Sequence, residues 1–204
     1  MLTLYTHPMS RGRTVRWMLE EIGEPYETRV LDYKTTMKAA EYLAINPMGK
    51  VPALVHDGHV LTEVAAIVTY LAEAFPQAGL MGTDRAAFLR WMFFCAGPLE
   101  QAMVNKVLGV TLQPEQSRFV GYGSFDAVLA TLEEALERNT WLAGSAFSAV
   151  DLYAGAQIGY GLAFGTLPDR PALRRYWERM ADRPARLRAA AFDDALLEKG
   201  KDHA

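Results

Sequence analysis

Residues 46–58 read NPMGKVPALVHDG. Asn46-Pro47 and Gly49 end a weakly helical segment, ALV is an apolar strand core, and Asp57-Gly58 is a hairpin turn signal. The residue that needs a reason is Pro52. Proline has no backbone donor and is kept to strand starts, edges and bulges. At the mouth of an apolar strand it either starts that strand or holds the main chain of Val51 open for another group to pair with.

Working outward, the chain on both sides alternates in type. LTLYT (2–6) predicts a strand. Arg13 to Gly23 predicts a helix, with Val15, Met18, Leu19 and Ile22 on one face and Gly23 as its stop. YETRVL (26–31) predicts a second strand, Lys38 to Ile45 a weaker helix, and 53–56 with 59–62 a hairpin around Asp57-Gly58. Glu63 to Phe75 is helical again, through Val64, Ile67, Val68 and Leu71. The order is βαβαββα: a right-handed crossover gives a parallel pair, and the hairpin completes a mixed four-stranded sheet.

Beyond a Gly- and Pro-containing linker the strand patterns fade. A long helix is expected over 85–112, kinked at Gly97-Pro98, then helices over 116–137, 150–162 and 172–181. The expected organisation is therefore an α/β domain over 1–76, a linker over 77–84 and an all-α domain over 85–204.

The totals narrow the function. The 204 residues are 50% hydrophobic and 22% charged, as in ordinary globular chains, and the net charge of −3 argues against a nucleic-acid binder. No run of about 18 apolar residues predicts a membrane span. The start, MLTLYTHP, has neither the charged nor the apolar region of a signal peptide, so a cytoplasmic protein is expected. Cys95 is the one cysteine, which rules out an internal disulfide and a C-x-x-C redox pair. It falls in a helical pattern with Trp91 and Leu99 and reads as core. His7, His56, His59 and His203 lack metal-ligand spacing, so no metal is expected, and His56 and His59 read as surface residues of the hairpin.

Four segments in this order resemble the cytosolic glutathione S-transferase family, of bacterial type. They are NPMGKVPAL (46–54), LTEVAAI (61–67), FSAVDLYAGA (147–156) and PALRRYWERMADRPA (171–185). The resemblance implies a thioredoxin-like first domain, an all-helical second one, and a homodimer. It also implies a cis bond before Pro52, so that Val51 offers its N–H and C=O to the central residue of glutathione, much as a strand edge does. Glu63 is the family's helix-leading acid, which accepts from the ligand's α-amine. Val64 stands where many members have a serine that holds the γ-glutamyl carboxylate, which leaves only its backbone N–H for that task. Lys38 and Lys50 are placed for the glycine carboxylate; both also fit as solvated surface lysines.

The reactive group belongs in THPMSRGRTVRW (6–17), where the family carries a serine, cysteine or tyrosine beside the sulfur. Tyr5 lies within a strand and no cysteine is present, which leaves Ser10. Its plain alternative is to cap the following helix. Arg11 and Arg13 oppose the helix dipole. Either they tolerate exposure, or an anion faces them: a thiolate, a glutathione carboxylate or an acid from a partner. A wall of Met9, Trp91, Phe94 and Met103 is the candidate bed for a hydrophobic electrophile, although those spacings also suit core. Ser148-Ala-Val-Asp151 reads as a capping box and not as a catalytic pair.

The activity implied is conjugation of the glutathione thiolate to hydrophobic electrophiles. Alternatives on the same site are glutathione-dependent isomerisation, dehalogenation or peroxide reduction, or a non-catalytic binding or assembly module.

Overall fold

The protein is described from a computed structural model covering residues 1–201, so His203 lies outside the described residues. The chain forms two compact units: Met1–Ala78 with the segment from Asp182 onward, and Gly79–Ala181.

The first unit is built on a four-stranded sheet, β1 (Leu2–Thr6), β2 (Tyr26–Val30), β3 (Ala53–His56) and β4 (His59–Leu61), in the spatial order β2-β1-β3-β4. β1 runs parallel to β2, from Leu2↔Tyr26 to Thr6↔Val30, and antiparallel to β3. Central β1 is buried on both faces (Leu2, Thr3, Leu4 and Thr6), as a strand covered on either side must be. The β3–β4 hairpin turns on Asp57 and Gly58, both at positive φ (48° and 84°), the geometry of a two-residue type I′ loop. His56 is less exposed than its place in the hairpin suggested. Its ring meets Tyr70 Oη at 2.9 Å and lies against Phe75, because β3 turns that side chain toward α3 (Val64–Ala74).

Helix α1 (Gly12–Ile22) buries Val15, Trp17, Met18 and Leu19 and ends at Gly23, φ 78°, whose N–H returns to the Leu19 carbonyl. The predicted weak helix is a 3₁₀ turn, Thr36–Lys38, followed by the short α2 (Ala40–Leu43).

The last described helix, α9 (Pro184–Lys201), was not foreseen and packs on α1. It buries Ala185, Ala189 and Asp193 while Leu187 and Phe192 stay exposed, so it has no apolar stripe for periodicity to find. Its docking is ionic. Arg16, 1% exposed, donates from Nε to Asp193 Oδ1 at 3.0 Å and from its Nη1 to Tyr26 Oη and Thr28 Oγ1. Arg13 pairs with Asp194 and lies 3.7 Å from Asp193, and Arg188 pairs with Glu20. Just before the helix, Arg183 holds Glu21 at 2.6 and 2.8 Å. The anion that answers the cation of Arg13 is thus supplied by the chain's own C-terminal helix.

In the second unit, the helix expected over 85–112 is two helices, α4 (Arg85–Phe94) and α5 (Glu100–Val107), joined by a π turn, Cys95–Leu99. Pro98 has no N–H to give the preceding turn, and the Cys95 carbonyl accepts both from the Glu100 N–H and from Gln157 Nε2 at 3.1 Å. The segment expected as one helix over 116–137 begins instead with a 3₁₀ stretch, Pro114–Phe119. α6 (Phe125–Arg138) starts only after Gly123, φ 68°, with Ser124 accepting from the Ala127 N–H. α7 (Ala149–Ala163) opens on the predicted capping box. Asp151 accepts from the Ser148 N–H and hydroxyl, the Leu142 N–H and Tyr176 Oη. Four donors on one buried carboxylate make it the anchor of that turn. α8 (Pro171–Ala181) approaches α7 at Gly155 and Gly159, where a Cβ would strike Met180 and Trp177. Cys95 is buried, and burial pushes its thiol pKa well up.

Candidate functional site

Parallel strands end at the same edge of a sheet, so the chain after β1 and the chain after β2 meet there. The antiparallel β3 enters from that edge, which brings the segment before Ala53 to the same place. Three loops therefore converge: 7–11, 31–38 and 49–51. They enclose a cavity of about 390 Å³, within the range of small-ligand sites. Ser10, Arg11, Lys38, Lys50 and Val51 all line it, together with Met9 and Tyr33.

The Val51–Pro52 bond is cis. The two sides of the preceding peptide are treated differently. The Lys50 carbonyl accepts from both Tyr42 Oη and Asn46 Nδ2, so it is turned inward and satisfied. Among the described residues no hydrogen bond takes up the N–H or C=O of Val51. Pro52 itself is buried behind the cavity and is not part of its lining.

Ser10 Oγ accepts from the Gly12 N–H at 3.0 Å and donates to the His7 carbonyl at 2.6 Å. The N-cap position is Arg11, which makes no side-chain cap bond, so Ser10 serves the start of α1 from one residue earlier by taking up the Gly12 N–H. A hydroxyl can turn its proton while still accepting, so the same oxygen can serve a group in the cavity. A Cβ on Gly12 would lie 1.9 Å from Thr6 Oγ1, so only glycine lets the loop close this tightly on β1.

Lys38 Nζ donates to the Gly49 carbonyl at 2.6 Å, which sets its ammonium at the cavity wall; Lys50 is exposed beside it. With Arg11 they make a cationic lining that contains no carboxylate. Such a cavity suits an anionic, extended ligand that pairs with main chain.

Glu63 and Val64 do not line this cavity. Glu63 is exposed at the start of α3, at φ 64° and ψ 117°, and its side chain makes no capping bond. That backbone region is costly for a residue with a Cβ, about 1–3 kcal/mol, and is kept where the surroundings impose it. The Val64 side chain is buried, so only its backbone is available to solvent.

Sequence reasoning missed Tyr33. It sits in DYKTT with no periodicity around it, held by Asp32, which accepts from the N–H groups of Lys34 and Thr35. The usable signal was topological: a residue just past the second of two parallel strands lies beside the loop after the first. Trp91 and Phe94 form a T-shaped pair with ring centroids 5.1 Å apart, and Trp91 is buried, as core residues are.

Known proteins share this arrangement. The glutathione S-transferase N-terminal domain model matches residues 9–74 and the C-terminal domain model residues 88–184. Glutathione S-transferase GST-4.5 of Xanthomonas campestris is 30% identical over 94% of this chain and 100% of its own length. GstB of Escherichia coli is 30% identical over 91% and 95%. Among solved structures, a glutathione S-transferase from Xylella fastidiosa superposes with a TM-score of 0.78, at 27% identity, over 95% of this chain and 99% of that one. A sphingomonad glutathione S-transferase complexed with glutathione gives 0.76, at 29% identity, over 94% and 98%. From its ordered motifs, its sheet topology and these likenesses, the chain belongs to the glutathione S-transferase family.

Proposed function

We propose that the protein is a glutathione transferase that joins the sulfur of glutathione to small hydrophobic electrophiles. The observation that carries the reading is the open main chain of Val51 in a cationic cavity with the Ser10 hydroxyl in its lining. In this reading the cysteinyl N–H and C=O of glutathione pair with Val51. Lys38 and Lys50 meet the glycine carboxylate. Glu63 accepts from the α-amine, and the Val64 N–H, at the positive end of α3, faces the γ-glutamyl carboxylate. Arg11 adds positive potential near the sulfur, and Ser10 turns its proton from the His7 carbonyl to the thiolate. The sulfur then attacks the electrophilic carbon. With an aryl halide, a C–S bond forms, the halide leaves with the bonding pair, and the thiol proton has already gone to solvent.

A free thiol with pKa near 8.5 is roughly 3% ionised at neutral pH. One charge-assisted hydrogen bond, about 1.5–3 kcal/mol, lowers that pKa by one to two units and raises the thiolate fraction up to about 25-fold. Nucleophilicity falls with pKa, with a slope of about 0.4–0.5 in thiol exchange, so the net gain is only a few-fold. Holding the electrophile against the sulfur must supply most of the acceleration.

The test is retention on immobilised glutathione followed by turnover of a chromogenic aryl halide. Wild type is expected to be retained and active. Ser10→Ala is expected to be retained, with the bound thiol pKa raised by about one unit and kcat down only about threefold. Absence of both retention and turnover in the wild type would favour a binding module. The same reading expects a cytoplasmic homodimer, which light scattering and fractionation would check.

A further inference from the structure

Two side chains hold the Met9 backbone from opposite ends. His7 Nδ1 accepts the Met9 N–H at 3.0 Å, and Tyr33 Oη donates to the Met9 carbonyl at 2.9 Å. The two rings lie against each other, with centroids 4.3 Å apart. The first bond fixes the Pro8–Met9 peptide plane and the second fixes the Met9–Ser10 plane. The Ser10 carbonyl accepts from the Arg13 N–H at 3.2 Å, which fixes the Ser10–Arg11 plane as well, and with the planes on both sides of Ser10 held the direction of its Cβ is set. The His7 carbonyl then receives the Ser10 proton at 2.6 Å. Tyr33 comes from the loop after β2, so its hydrogen bond to Met9 and its ring contact with His7 tie the two loops of the cavity together, while the other two hydrogen bonds shape residues 7–10.

We propose that His7 and Tyr33 are positioning residues for catalysis: by clamping the Met9 peptide they hold the Ser10 hydroxyl at the glutathione sulfur. The inference rests on the assignment of Ser10 to that sulfur. Neither residue needs to touch glutathione for its part. The clamp also fixes a tautomer. Nδ1 can accept only while unprotonated, so the proton of the neutral ring sits on Nε2. Asp32 and Tyr33 face His7, and Arg11 lies beside Tyr33. Burial lowers the His7 pKa from 6.5, partly opposed by Asp32. The ring is therefore neutral at pH 7, and the clamp is intact there. It opens as the pH falls below the usual histidine range and Nδ1 takes a proton.

The test is a double-mutant cycle read in kcat, in the KM for glutathione and in the bound thiol pKa. Tyr33→Phe keeps the ring and removes the donor. It is expected to raise the bound thiol pKa and lower kcat by about two- to threefold, no more than Ser10→Ala does, with KM for glutathione unchanged. In a Ser10→Ala background the same change is expected to leave kcat and the bound thiol pKa unmoved, because Tyr33 acts through Ser10. His7→Leu removes the acceptor and is expected to lower kcat at neutral pH about as much as Tyr33→Phe, but without the acid limb that Tyr33→Phe keeps. In His7→Asn the amide oxygen can take the place of Nδ1 without titrating. That variant is expected to recover kcat to near the wild-type level and to lose the wild type's acid limb below about pH 6.5.

If Ser10→Ala is costly but Tyr33→Phe is silent, or costs the same in both backgrounds, the positioning role is overturned while Ser10 keeps its own. If Ser10→Ala leaves kcat and the thiol pKa unmoved, the assignment of Ser10 falls first and takes this inference with it. A thermal midpoint recorded for each variant separates a folding defect from a positioning one. Should His7→Leu fail to fold, Tyr33→Phe and His7→Asn carry the test unaided.

Discussion

Glu63 shows at one residue how a site asks for a conformation that stability alone would not choose. It starts α3 at φ 64°, where the Cβ crowds the backbone, and it makes no cap bond to offset the cost. Glycine removes that crowding, worth about 1–3 kcal/mol, and forfeits about 0.3–1 kcal/mol of favourable charge at the helix start. Glu63→Gly is therefore expected to raise the urea midpoint by an amount equivalent to about 1 kcal/mol. It should also raise the KM for glutathione about tenfold or more, through loss of a charge-assisted acceptor. A more stable variant with unchanged KM would remove Glu63 from the ligand. At this scale much of the site is legible in the sequence. Ser10, Arg11, Lys38, Lys50 and Val51 are brought to one cavity as their motifs suggest. The clamp is not legible, because His7 and Tyr33 act on the backbone of a third residue, and no spacing rule relates 7 to 33.

At the scale of elements, strands and caps are the readable part. The alternation of β1, the Asp57-Gly58 turn, the Gly23 stop and the Ser148–Asp151 box each state a local backbone demand that the structure meets. What escaped were interruptions and docking without an apolar stripe. The run through 116–124 keeps a helical look, yet Gly123 and Ser124 set a new start, and α9 binds through alanines and charges. The Arg16–Asp193 pair makes that docking testable. Both side chains are buried, and burial pushes the Asp193 carboxyl pKa up against the downward pull of Arg16 and Arg13. A buried ion pair is weak net support, yet breaking it strands a charge. Asp193→Ala is expected to cost about 3–5 kcal/mol in a denaturant melt, whereas Arg16→Met with Asp193→Leu is expected to stay within about 1–2 kcal/mol of wild type. A single and a double variant of equal stability would contradict this account of how α9 is held.

At the scale of the whole molecule, the first unit carries every residue assigned to glutathione, and the chain returns to that unit after the helical one. The ligand edge follows from topology: a parallel pair and an antiparallel third strand put three loop ends together, as α/β folds do at the carboxyl ends of their strands. Among the described residues no helix is long and apolar enough to cross a membrane. The central claim is that the Val51 main chain holds the tripeptide with its sulfur at Ser10. A crystal structure of the protein soaked with glutathione tests it most directly. The account predicts the cysteinyl N–H and C=O bonded to Val51 at about 2.9 Å and the sulfur within about 3.5 Å of Ser10 Oγ. Glutathione bound with Val51 still unpaired, or with its sulfur turned away from Ser10, would contradict it.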